Sequence, residues 1–84
     1  MMHHLKLNID FADAVLSGEK NFEIRQNDRG FQKGDRVDFT VVDRLGMIIN
    51  HPLNDRVFII TYVLNGWGLK NGYCVFGIRK ARED

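Results

Sequence analysis

Leu5 and Leu7 alternate with Lys6 and Asn8 near the start of the chain, the period of a short strand with one face covered. A helix is expected next. Asp10 is placed to cap it, because its carboxylate can accept from a free N–H of the first turn. Asp13 adds negative charge near the positive end of the helix dipole. Phe11, Ala14 and Val15 form the apolar stripe, with Leu16 at its margin. Gly18 follows as the residue able to take positive φ. A helix of about two turns needs the rest of the protein to hold it.

Asn21 to Asn27 reads as the second strand, with Phe22, Ile24 and Gln26 on one face and Glu23 and Arg25 on the other. Asp28-Arg29-Gly30 and Lys33-Gly34-Asp35 are turn signals, with Phe31 between them as a core plug. In Arg36 to Asp43, Val37, Phe39 and Val41 alternate with Asp38, Thr40 and Val42, a strongly β pattern. Arg44-Leu45-Gly46 turns the chain into Met47-Ile48-Ile49, and the segment His51 to Asp55, with its proline, breaks the pattern. Arg56 to Leu64 is the longest apolar run and suits a central strand covered on both faces. Asn65 to Gly72 is a glycine-punctuated loop, Tyr73 to Arg79 a last strand, and Lys80 to Asp84 a charged tail expected to fray. Phe22, Phe39, Phe58 and Phe76 are assigned to the core. One helix after the first strand, followed by a run of short strands, exposes sheet edges unless the sheet curls into a closed or nearly closed barrel, with the helix over one opening.

With 84 residues, the chain is expected to be one domain, spanning 1–84. A chain of this size buries roughly 60–65% of the surface its unfolded form exposes, so the core is adequate but thin. The formal net charge of +1 gives no polybasic arm, so any anion site must be local. Cys74 is the only cysteine, which leaves no intrachain disulfide and fits a reducing setting. The start lacks the apolar stretch of a signal peptide, and no segment approaches the ~20 apolar residues that span a bilayer. A cytoplasmic location is expected.

The chemistry concentrates between Ser17 and Arg25. Lys20, Glu23 and Arg25 converge on one wall if the second strand is extended. Lysine offers a point charge and arginine a planar fork for phosphate. Glu23 can accept from a base or sugar hydroxyl, or act as a general base. The structural alternative is an ion pair that orders a strand end and binds nothing, worth about 0–1 kcal/mol at a surface. Trp67 is either a stacking face for a nucleobase or a cap on the core. Tyr73 is either a second stacking face or a half-buried strand residue. Arg29 either reaches the cleft from its turn or is solvated. Cys74 reads as a small buried apolar residue. His3, His4 and His51 do not form a metal site, because adjacent strand residues face opposite ways and no carboxylate stands at a ligand spacing. His3 and His4 are either native or the remnant of a tag. From Lys20 to Arg36 five cations meet three carboxylates, a bias too weak for a long duplex-binding surface and suited to a small cleft for one or a few nucleotides.

Gly18-x-Lys20-x-x-Glu23-x-Arg25 resembles the G-x-K-x-x-E-x-R signature of ASCH domains, small β-barrels of the PUA-like superfamily. His3, Leu5-Lys6, Phe11, Ala14 to Gly18, Phe22 to Arg25, Asn27-Asp28-Arg29, Gly34-Asp35 and Gly68 to Tyr73 extend the resemblance over nearly the whole chain, to a compact uncharacterised ASCH-like family of bacteria and their phages. The resemblance implies an RNA-binding cleft walled by the signature residues. One related branch deacetylates acetylcytidine, with a catalytic set resembling a lysine at Lys20, a threonine at Glu23 and a glutamate on a later strand. Here only the lysine is kept: Glu23 replaces the threonine, and no glutamate lies between Gln26 and Arg82. Asp55 is the nearest carboxylate substitute. Other ASCH members are described as ribonucleases.

The expected fold is therefore α+β, a small PUA-like (ASCH) β-barrel of about five to six mostly antiparallel strands with one short helix after the first strand. The expected function is an RNA- or nucleotide-binding module, with Lys20, Glu23, Arg25, Arg29, Trp67 and Tyr73 as ligand residues and short single-stranded RNA or a nucleotide-like molecule as partner. No cofactor, metal or membrane is expected, and the oligomeric state is open. The alternatives are a hydrolase acting on a modified nucleoside or RNA, with Lys20 and Glu23 as catalytic candidates, and a small protein-interaction domain.

Overall fold

The computed structural model describes residues 1–81. Its elements are β1 (Met2–Asn8), α1 (Ile9–Ser17), β2 (Phe22–Gln26), β3 (Arg36–Val42), β4 (Val57–Asn65) and β5 (Tyr73–Lys80). The tail expected to fray begins within β5, and residues 82–84 lie outside the described residues. The strands form one mixed sheet in the order β1-β3-β4-β5-β2, curled into a half-barrel. β1 runs parallel to β3, and the other pairs are antiparallel.

Alternation decides which side chains enter the core. His3, Leu5 and Leu7 of β1, Val37, Phe39 and Val41 of β3, and Cys74, Phe76 and Ile78 of β5 are buried. In β4, Phe58 and Ile60 point inward, then the register with β5 slips between Ile60 and Tyr62. Thr61 is the extra residue of that bulge, so the phase inverts: Val63 packs on the core and Tyr62 faces out, 63% exposed. β4 is central in the sheet, as its length implies, but it is not covered on both faces. Phe31 plugs the core between its two turns, with its ring 4.8 Å from those of His3 and Phe76. Met47 and Ile48 are exposed, and the Met47–Ile49 segment contributes a single bridge between Ile48 and Val42.

α1 differs from expectation at its start and on its buried face. Asn8 is the N-cap, its Oδ1 accepting from the Asp10 N–H at 2.8 Å, because β1 runs straight into the helix and leaves Asp10 inside the first turn. The residues turned to the core are Ala12 and Val15, with Ile9 and Leu16 beside them, while Phe11 is 48% exposed. Gly18 ends the helix at φ +86, as its position suggests.

Each histidine has an aspartate partner. His3 Nε2 donates to Asp35 at 2.8 Å, His4 Nδ1 to Asp38 at 2.7 Å, and His51 Nε2 to Asp13 at 2.8 Å. The buried His3 contact, with help from the terminal ammonium and the Gln32 N–H, holds the Asp35 carboxyl below its ordinary range. Burial pushes the Cys74 thiol up, consistent with an inert apolar role.

Candidate functional site in the seam of the half-barrel

β1 and β2 are the two edges of the sheet, and among the described residues no strand pairing closes the gap between them. Arginines from the β2 side bridge it instead. Arg25 Nη2 donates to the Lys6 carbonyl at 2.9 Å, and Arg29 Nη1 to the His4 carbonyl at 3.2 Å. Both acceptors are even-numbered residues of β1. The Met1 carbonyl bonds to the Arg36 N–H of β3, so along an alternating strand the odd carbonyls face β3 and the even ones face the seam.

The signature residues meet at this seam. Lys20 follows the glycine cap, and its own N–H donates to the Ala14 carbonyl at 3.0 Å, which ties it to the last turn of α1. Its ammonium donates to the Phe22 carbonyl at 2.8 Å and to Glu23 Oε2. From the other side, Arg25 Nε donates to Glu23 Oε1 at 2.9 Å, and Nη2 lies 2.8 Å from the same oxygen. Glu23 is 3% exposed. In β2, Glu23 stands opposite Phe76 and Arg25 opposite Cys74, both core residues, so the charged face of this strand is the inner one.

The assignment of Phe22 to the core is therefore overturned. Phe22 is 41% and Ile24 56% exposed, because the buried carboxylate and its two cations occupy the inward positions. Together with Phe11 they make an apolar wall beside the charges. Lys20 Nζ lies 4.9 Å from the Phe22 ring centre and 5.4 Å from that of Phe11, within cation–π range of both. These groups, with Lys6 and Asn8 of β1, line an open cavity of about 480 Å³. That volume lies in the range of small-molecule sites.

The trio is both a structural clamp and an unsaturated donor set. Both Glu23 oxygens are engaged. Two of the three ammonium donors of Lys20 are used, and Arg25 Nη1 has no partner among the described residues. Lys6 makes no ion pair with a described residue, so the cavity carries three cations against one carboxylate.

Arg29, Trp67 and Tyr73 do not line the cavity. Arg29 is exposed and donates once across the seam, to the His4 carbonyl, away from the cavity lining. Trp67 is 89% exposed at φ +51, which overturns its role as a core cap. Its loop adjoins the far end of β2, where the Asn27 N–H donates to the Gly72 carbonyl at 2.8 Å. Tyr73 is half-buried opposite Gln26, with Lys70 Nζ 5.9 Å from its ring centre. Sequence reasoning missed Lys6, Asn8, Phe11, Phe22 and Ile24 as cavity residues. The available signal was the alternation of β2 itself, since satisfying Glu23 inside the fold puts Phe22 and Ile24 outside.

Among the described residues, no group of three or more His, Cys, Asp or Glu side chains is placed to hold a metal ion, and no helix is long and apolar enough to cross a membrane. No curated protein matches the chain. A family model described as a domain of unknown function (DUF3850) matches residues 2–78, nearly its whole length. The protein with a half-barrel seam held by Lys20, Glu23 and Arg25 thus belongs to the DUF3850 family.

Proposed function

We propose that the seam cavity binds a nucleotide, free or as part of a short single-stranded RNA, in the manner expected of an ASCH-type, PUA-like domain. One observation carries this reading: exposed phenylalanine rings and spare cationic donors line the same cavity. A nucleotide presents a flat apolar base and an anionic phosphate a short distance apart, so it needs both kinds of wall together. Phe22 and Phe11 offer the base its face, and Lys6, Lys20 and Arg25 offer the phosphate its donors. Base stacking on an aromatic side chain contributes about 1–3 kcal/mol.

Binding is favoured over hydrolysis by the state of Glu23. A general base must reach substrate, and Glu23 is 3% exposed and held from both sides by cations. Among the described residues, no other carboxylate lines the cavity.

The test is calorimetric titration with 5′-mononucleotides and short RNAs, on the native protein and on Phe22→Ala and Lys6→Ala. Both side chains are exposed, so the fold should survive either change. Phe22→Ala is expected to weaken binding about tenfold, the lower part of the stacking range. Equal affinity in all three proteins would contradict the assignment. Turnover of an acylated nucleoside would replace it with the hydrolase alternative.

A further inference from the structure

The seam cavity has a neighbour across Lys20. That residue is also a wall of a second cavity, of about 390 Å³, which runs past the C-terminal end of α1 to Arg79 and Lys80 at the end of β5. Phe58 and Lys80 in turn wall a third, of about 260 Å³, which reaches Arg56 at the start of β4. The elements converge there because β4 and β5 are antiparallel, with Phe58 opposite Lys80 and the Ala81 N–H donating to the Val57 carbonyl at 2.9 Å.

The three cavities carry a marked charge bias. Lys6, Lys20, Arg25, Arg56, Arg79 and Lys80 line them, six of the eleven lysines and arginines in residues 1–81. Of the nine carboxylates in the same span, only Glu23 lines any of the three. Glu19 and Asp55 are sequence neighbours of these cations but line none of the three cavities. Lys6, Arg56, Arg79 and Lys80 make no ion pair with a described residue, whereas Arg44 is taken up by Asp10 and the histidines by their own aspartates. The net charge of +1 conceals this segregation, because the cations come from four separate stretches of sequence.

We propose that the three neighbouring cavities, which share Lys20, Phe58 and Lys80 as walls, form one track for single-stranded nucleic acid several nucleotides long, with one base in the Phe11–Phe22 pocket and successive phosphates passing Lys20, Arg79, Lys80 and Arg56. This rests on the nucleotide-binding role of the seam and adds a path outside it, on which Arg79, Lys80 and Arg56 hold the phosphates of the neighbouring nucleotides. Single-strand binders combine a cationic groove that tracks the backbone with aromatic side chains on which bases stack; here the aromatic part is the Phe11–Phe22 pocket. A duplex offers no unstacked base to the pocket and is disfavoured.

The experiment titrates the native protein and the double variant Arg79→Gln/Lys80→Gln with a 5′-mononucleotide, with RNA and DNA single strands of increasing length, and with a duplex, each at several salt concentrations. Both substituted side chains are exposed at the end of β5. Affinity is expected to rise with strand length up to about four nucleotides and then level off. The double variant should bind the mononucleotide as the native protein does, bind the longer strands about tenfold more weakly at low salt, and lose about 1.4 from the slope of log affinity against log salt, roughly 0.7 for each phosphate contact removed. A mononucleotide that binds while longer strands bind no better overturns the track and leaves the seam assignment standing. Absence of binding by mononucleotide and strand alike overturns both. Duplex binding equal to single-strand binding, or long-strand affinity unchanged in the double variant, also overturns the track. The RNA and DNA arms separate the two sources of the same backbone chemistry.

Discussion

Glu23 is the residue on which the local structure turns. A carboxylate this buried needs compensation, and Lys20 and Arg25 supply it from opposite sides. Removing its charge leaves two cations facing one another across a neutral group. Glu23→Gln is therefore expected to lower the unfolding free energy by about 2–3 kcal/mol, at or below the low end for a broken buried pair, because both cations can relax toward water. Lys20 and Arg25 keep 19% and 23% of their side-chain surface exposed. Urea unfolding checks this, and an unchanged midpoint would mean that the trio is an ordinary surface pair. The convergence of Lys20, Glu23 and Arg25 was legible in the sequence from the two-residue period of a strand. Which face of β2 looks inward was not, because hydrophobicity favours burying Phe22 and Ile24, whereas the fold buries Glu23 with its two cations. The helix cap was misplaced for a related reason. Asn8 and Asp10 are both good capping residues, and the choice depends on where β1 stops.

At the scale of elements, β4 and β5 are fitted to one another through a single missing side chain. Thr61, the bulged residue, lies over Gly77, and a Cβ built at Gly77 would stand 2.5 Å from Thr61 Oγ1. Threonine is stiff at χ1 and cannot easily turn away. Gly77→Ala is expected to cost about 1–2 kcal/mol, the range for overpacking, and Thr61→Ala in the same chain should recover most of it. Losses that simply add, measured by denaturant unfolding of the single and double variants, would show that the bulge is not what the glycine serves. The existence of β4 and β5 was clear from their apolar runs. The bulge was hidden, because a continuous apolar stretch such as Val57 to Leu64 carries no phase from which a slip can be read. β1 and β3 were clear in position and facing, but their parallel pairing depends on the path of the intervening chain and left no mark in either segment.

For the whole molecule, the half-barrel and its site have one origin. A five-stranded sheet with β1 and β2 at its edges leaves a seam, and arginine side chains span it where backbone pairing would otherwise close it. Side-chain bridges leave room between the strands that a hydrogen-bonded ladder would fill. That room is the cavity, and it brings Lys6 of β1 and Phe11 of α1 to the signature residues of β2. The small α+β barrel-like shape was readable from one helix followed by short strands. The composition of the site was only half readable, since Phe11 and Phe22 look like core residues until the sheet is curled. The most direct test is to titrate isotope-labelled protein with a 5′-mononucleotide and follow its amide resonances. The expected result is saturable shifts confined to Lys6–Asn8, Phe11 and Lys20–Arg25, with the Asn65–Gly72 loop unmoved. No shift at millimolar nucleotide, or shifts centred on that loop and not on the seam, would contradict the account.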